Sequence, residues 1–544
     1  MLQWLSSLGN KVDHPMYNVE EARKLLAGLP PDGGKALEEI SSWLEGVSAT
    51  PGFPLADRIG VVKLLDETAQ KHEAAVLTDF LRNDKLKEFE RLKLWKALLA
   101  YWELLSGAYR LCLQELAKAG KPGGPPHPER TILVARALRA LANEGKILHL
   151  RYLPVKPRIW QELAGLYAQA EKDQVLAEVI KPYPADIFPT NVRQEFLRLL
   201  MMDAAVPEGE QLLEIELSAR VVARMASGFV IQAQRGEGCH FCFDLARPDR
   251  PVRYSAELPA SATLRHFGVG RAAAAIQEIV DRHTANPAEP EKRFGDDFSI
   301  QDKLVVLKRL LAQWGDAPPK RGGPRVRIDE KIRVSGGFQA AAELVTRVEL
   351  SGSAELTADQ RMKVKQQTGI ALQAQEATAA ITEWLERDGG AWGMGVDVPR
   401  QDELWARIGA LIAFQAPGHK SWWLGAIRRM HRDDQERAHA GVEILAKKPL
   451  SVYFRGLGEG AERADNWQSS SGSFEFTFVN AIMLGDSPTS GTRHEVLLKR
   501  DGFTPGLVYE VMMGEQAPNV RLEELIERGV DYDRVRVTWL KRAA

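Results

Sequence analysis

Two rhythms of apolar residues divide the chain. From about Val19 to Val206 apolar positions recur every three or four residues, as in LKLWKALLAYWELLSGAYRLCLQELAKAG, which ends on a glycine suited to a helix terminus. Proline and glycine clusters, LPPDGG and KPGGPPHP, cut the run into separate helices. The pattern predicts an α-helical bundle or array over residues 1–207. After Glu208 short β-like stretches, VIQAQ, CHFCFDL and VRYSAEL, alternate with helical segments near Ala272–His283 and Ile300–Trp314, predicting a small α+β unit over 208–318.

From Arg325 onward period-two alternation dominates. RVRIDEKIRV sets Val326, Ile328, Ile332 and Val334 on one expected face of a strand, with charged residues between them. Further strand candidates are ELVTRVEL, IGALIAFQ, SWWLGAIRRM, AGVEILA, LSVYFRG, SFEFTFVN, HEVLLKR and VRVTWL. So many short strands at close spacing imply an antiparallel β-barrel. One long helix is expected to interrupt them, from Leu356 to Arg387, opening on a capping box of Thr357 and Gln360. The expected layout is α+β and multidomain: helical region 1–207, α+β unit 208–318, barrel 319–460 with a helical insertion at about 356–387, and a β-rich extension 461–544. That extension reads either as further strands of the same barrel or as a second β module.

Composition narrows the setting. With 544 residues, 44% apolar and 27% charged, and a formal net charge of -1, the chain has the balance of a globular protein and no global field for nucleic acid or acidic lipid. Three cysteines in this length argue against a disulfide framework and for a reducing, cytoplasmic setting. MLQWLSSLGNKVDHP lacks the long apolar core of a signal peptide, and no run of about 18 uncharged apolar residues predicts membrane insertion.

Against that plain background two short motifs stand out. KRGGPR carries Arg321 and Arg325 four apart around Gly-Gly-Pro, at the start of an expected strand. ERDGGAWG carries Asp388, Gly390 and Gly393 as Asp-x-Gly-x-x-Gly. The glycines permit a tight turn and close backbone approach, while the carboxylate accepts hydrogen bonds from an NH-rich edge such as guanine's. Arginine pairs phosphate through its planar fork and also lies flat on a purine. Followed by the strand WWLGAIRR, these motifs resemble the PilZ domain, the bacterial cyclic di-GMP receptor, over about Lys320 to Gly456. The resemblance implies a six-stranded barrel that binds cyclic di-GMP through Arg321, Arg325, Asp388, Gly390 and Gly393. Position 390 departs from it, being glycine where the family usually has serine.

Other motifs carry less. Trp160, Leu163 and Tyr167 have the spacing that opens a tetratricopeptide repeat, but nothing recurs at 34 residues, so a generic helical core is expected. Cys239 and Cys242 lack a second pair to complete a metal site. GLGEGAER reads as a connecting loop, and RRMHRDD as a hairpin tip. With no metalloprotease, Walker or nucleophile-elbow signature, and none of the GGDEF or EAL signatures of cyclic di-GMP turnover, no catalytic residue, metal or cofactor is expected. The expectation is a non-enzymatic receptor that couples cyclic di-GMP to motility, type IV pili or surface attachment. Its expected contacts are a protein partner through the helical region and a second copy as a homodimer. The alternative is a helical scaffold whose barrel no longer binds ligand.

Overall fold

The computed structural model describes residues 12–83, 85–120, 127–259, 261–319, 323–352, 380–456, 478–485, 493–512 and 518–540. The chain forms two compact units, Met1–Lys320 and Arg321–Ala544. No helix among the described residues is long and apolar enough to cross a membrane.

The first unit begins with eight described α-helices: α1 (Val19–Leu26), α2 (Gly33–Ala49), α3 (Leu55–Arg82), α4 (Glu88–Ala119), α5 (Arg130–His149), α6 (Pro157–Lys172), α7 (Val192–Asp203) and α8 (Leu212–Met225). Their starts follow from local chemistry. The Asn18, Asp32 and Asn191 side chains accept from the backbone N–H of Glu21, Lys35 and Gln194, satisfying donors that the first helical turn leaves unpaired. A four-stranded sheet follows, ordered β1 (Val230–Gln232), β4 (Leu264–Gly268), β2 (Phe241–Asp244), β3 (Val252–Arg253), flanked by α9 (Ala272–Ala285) and α10 (Ile300–Trp314).

Helices and sheet share one apolar core, so residue 207 does not separate two cores. Phe243 on β2 meets Trp160 of α6 and Phe196 of α7 at ring separations of 6.0 and 5.8 Å. Trp314, at the end of α10, donates its indole N–H to the Met201 carbonyl. Trp160, Leu163 and Tyr167 are buried core residues of α6. A polar knot lies inside the same unit. Arg136, 1% exposed, reaches the Pro182 carbonyl (2.7 Å), Glu67 (2.6 Å), the Tyr109 hydroxyl (3.2 Å) and Asp66 (3.4 Å), and lies over the Tyr183 ring. Burial pushes the Asp66 carboxyl up, against the pull of Arg136 and its tyrosine donors.

The second unit holds two closed antiparallel barrels. The first joins β5 (Val326–Gly336), β6 (Thr382–Gly389), β7 (Gly393–Val398), β8 (Leu411–Gln415), β9 (Trp423–Arg432) and β10 (Ala438–Ala446) in the order β10-β7-β6-β5-β8-β9. The second joins β11 (Leu450–Gly456), β12 (Phe478–Met483), β13 (Arg493–Lys499), β14 (Val508–Met512), β15 (Asn519–Arg528) and β16 (Tyr532–Leu540) in the order β11-β12-β13-β16-β15-β14.

Three expectations are corrected here. LSVYFR is β11, which pairs with β12 and β14, so the second barrel begins at Leu450 rather than after residue 460. ELVTRVEL lies in helix α11 (Phe338–Gly352), not a strand; Ala341, Ala342, Leu344 and Val345 have helical spacing and are all buried. The expected helix Leu356–Arg387 ends in strand: Thr382–Arg387 belong to β6, where Trp384 points inward and its flanks do not. Its earlier part, with Thr357 and Gln360, lies outside the described residues, as does most of GLGEGAER. RRMHRDD does form the end of β9 and the turn into β10.

Helix α11 packs between the barrels, touching a cluster that takes Leu411, Trp422 and Leu424 from the first and Ile482, Leu497 and Tyr532 from the second. Polar clamps reinforce this junction. Arg428 of β9 grips both carboxylate oxygens of Glu527, which also accepts from the Tyr532 hydroxyl at 2.9 Å. The Asp531 carboxylate accepts from the backbone N–H of Leu411 and Phe338. Burial alone would raise the Glu527 carboxyl, but Arg428 and Tyr532 outweigh it and hold it below the ordinary range. A depressed folded value means the stabilisation is present above the unfolded carboxyl value and is lost as pH falls through the folded one. Glu527→Gln should therefore cost on the order of 2 kcal/mol near pH 7. In thermal melts, its gap to the parent should shrink below about pH 4; a gap independent of pH would remove Glu527 from the acid response.

Candidate functional site

The motif residues converge on β5, β6 and β7, which lie side by side in the first barrel. Arg325 stands one residue before β5, and Asp388 one residue before the end of β6. Although 63 residues apart in sequence, they meet: Arg325 Nη1 donates to Asp388 Oδ1 at 2.6 Å. Gly390 and Gly393 bracket the β6–β7 turn, closed by a bond from Gly390 N–H to the Gly393 carbonyl at 2.8 Å. Four of the five expected site residues are thus brought together. Arg321 lies outside the described residues.

Two β-bulges aim these groups outward. Trp384 and Asp388 share parity on β6, so uninterrupted alternation would send both into the barrel. Instead the register between β6 and β7 shifts between Glu386 and Asp388, and that between β5 and β6 shifts between Arg327 and Glu330. Trp384 is buried, while Asp388 pairs with Gly395 on the outward face of β7. The β5 bulge contains Asp329 in the left-handed region at φ 61°. It also corrects the expected face of RVRIDEKIRV: Ile332 and Val334 are buried, but Val326 and Ile328 are exposed.

Missing side chains form the floor. A Cβ at Gly395 would lie 2.5 Å from Asp388 Oδ2, and one at Gly393 would lie 3.1 Å from Arg325 Nη2. The ion pair thus occupies space that glycines at these positions leave open, and a Cβ at Gly395 would push the Asp388 carboxylate aside. At Gly390 a Cβ would stand 2.9 Å from the Pro324 carbonyl, so the serine usual in the resembled family would require that backbone to move. Gly395 was not singled out from the sequence; its signal is the Gly-x-Gly of GMG, two glycines on one strand face.

Beside the pair an open cleft is lined by Arg327, Asp329, Arg387, Asp388, Asp397 and His439. Arg387 bridges Asp329 (3.0 Å) and Asp397 (2.6 Å), Arg327 holds Asp329 at 2.7 Å, and His439 Nδ1 contacts Asp397 at 2.7 Å. Hydrogen bonds from Arg327 and Arg387 hold the Asp329 carboxyl below its usual range. For Asp397, burial pushes upward but Arg387 and His439 prevail. Reading 356–387 as helix concealed the part Arg387 plays. Cationic forks alternating with carboxylates suit a ligand that offers both phosphates and NH-rich base edges.

Cys239 and Cys242 are buried beside His266, with Cys242 Sγ 3.3 Å from His266 Nδ1, and burial pushes the Cys242 thiol up to about 11. Among the described residues no group of three or more His, Cys, Asp or Glu side chains is placed to hold a metal.

Comparison with known families bears on the other unit. Residues 20–235 match the family model described as "Cyclic-di-GMP receptor FimW, N-terminal domain". The matched segment spans α1 to β1 and stops short of both barrels. It supports a cyclic di-GMP receptor with an N-terminal helical region. No curated protein and no solved structure matches the chain.

Proposed function

We propose that this protein is a cytoplasmic cyclic di-GMP receptor, without catalytic activity of its own, whose first barrel is a PilZ-like ligand-binding domain. Its helical region would engage a protein partner and couple the messenger to motility, type IV pili or surface attachment. The observation that carries this reading is the meeting of Arg325 with Asp388 over a glycine floor, on an open barrel face. The match of residues 20–235 to a cyclic di-GMP receptor family supports it independently.

In this reading the resting ion pair gives way to the ligand. The Arg325 and Asp388 side chains are 25% and 40% exposed, so opening their pair costs about 0–1 kcal/mol. Charge-assisted bonds to the ligand contribute about 1.5–3 kcal/mol each, enough to favour the exchange. Arg325, with Arg321 four residues before it, takes phosphate oxygens, while Asp388 accepts from guanine N–H groups. Calorimetric titration of the full chain with cyclic di-GMP is the test. Saturable heat that weakens in Asp388→Asn is expected; absence of heat would leave a helical scaffold with an unliganded barrel.

A further inference from the structure

We infer that Trp392, at the apex of the β6–β7 turn, is the plane on which one guanine of the bound nucleotide stacks, with the Lys447 ammonium beside it meeting a phosphate. The inference rests on the cyclic di-GMP reading and adds to it a residue that no motif assigns.

Trp392 is 65% exposed, and it is the only tryptophan among the exposed large apolar residues of the described chain. An indole is usually placed where it can bury most of its surface. The nearby Trp384 shows the contrast: it is 1% exposed, stacks on Trp405 at 5.4 Å and donates its N–H to Asp402. Core packing therefore does not account for Trp392.

Its backbone is held firmly. Ile444 N–H donates to the Trp392 carbonyl at 3.1 Å, and the turn is closed by the Gly390–Gly393 bond. The next residue, Gly393, forms the floor under Arg325, so the Cα of Trp392 is one step, about 3.8 Å, from that floor and its indole rises from the same turn that carries the arginine's contact. An indole has few side-chain torsions, so on a hydrogen-bonded turn it loses little entropy on stacking, which favours a platform.

Lys447 supplies the charge. Its Nζ lies 5.6 Å from the Trp392 ring centroid and 4.9 Å from that of Trp423. Close to both indoles, the ammonium places a positive charge beside Trp392 and covers at most one face of its ring. A purine on the indole would bring its phosphates toward Lys447 on one side and Arg325 on the other. Val326, 70% exposed and paired in register with Gly389, adds an apolar rim to the same turn.

The test is titration of the full-length protein with cyclic di-GMP, by calorimetry and by tryptophan emission. Base–aromatic stacking is worth roughly 5- to 150-fold in affinity, so Trp392→Ala should weaken binding by that factor with an unchanged melting temperature. Trp392→Phe should keep affinity within about threefold, since a phenyl ring still stacks, yet lose most of the ligand-induced change in emission. Lys447→Ala should weaken binding and reduce its salt dependence. If the parent binds and Trp392→Ala binds equally well, the stacking inference fails and the receptor reading stands. If the parent does not bind, both fall.

Discussion

Replacing Arg325 with alanine should lower the affinity for cyclic di-GMP by roughly 100-fold and leave the melting temperature within about 2 °C of the parent. The first half of this expectation follows from what the side chain supplies: a guanidinium pairing phosphate contributes one or two charge-assisted bonds of about 1.5–3 kcal/mol each. The substitution also leaves Asp388 without its cation and facing an anionic ligand, which adds repulsion. The second half follows from exposure, because a pair this open to water contributes at most about 1 kcal/mol to folding. Arg325→Lys should recover little, as an ammonium cannot reproduce the planar fork. Calorimetry beside thermal melts separates the two effects, and undiminished affinity in Arg325→Ala would exclude this arginine from the site.

The largest loss of stability is expected in the other unit. Arg136→Met removes a guanidinium that is 1% exposed and serves Asp66, Glu67, the Tyr109 hydroxyl and the Pro182 carbonyl. Breaking a buried pair from one side costs about 3–5 kcal/mol, because the remaining charge stays buried without compensation. Burial already raises the Asp66 carboxyl, so the variant relieves itself partly by protonating it. Urea unfolding should show the helical unit's transition moving to lower denaturant while that of the barrels stays in place. Arg136→Met and Asp66→Asn combined should lose less than the sum of their separate effects, since they share one network. Additive losses would show the knot is not a single unit.

How far the sequence reaches depends on whether a feature is periodic or local to a few residues. The helices of the first unit were legible because their apolar spacing repeats over many turns. β9 and β10 were legible through alternation in SWWLGAIRRM and AGVEILA. The region 338–389 was misread at both ends: ELVTRVEL contains β-branched residues yet is helical, packed between barrels, and ITEWLER looks amphipathic at either period. Tertiary packing decided each case. Of the site, Arg325, Asp388, Gly390 and Gly393 were read through motif order, and the structure brings these four together. The bulges near Asp329 and Arg387 have no period and left no pattern, so the outward turn of Asp388, the Gly395 floor and the Arg387 bridge became visible only in three dimensions.

The clamp between the barrels bounds how freely the candidate ligand face can change. Strands β5, β6 and β7 carry the motif, whereas Arg428 on β9 and Leu411 on β8 are fastened to Glu527 and Asp531 of the neighbouring barrel. The inward side chains of both walls build the core, but only the β8–β9 side carries these clamps, and the motif's side chains on β5 and β6 face outward. In the proposed receptor, substitutions at Arg325, Arg327, Asp388 or Trp392 would retune what the face recognises at little expense to folding, while the clamped wall would tolerate few. Such a division would make the barrel of the proposed receptor a fixed chassis on which nucleotide preference could drift.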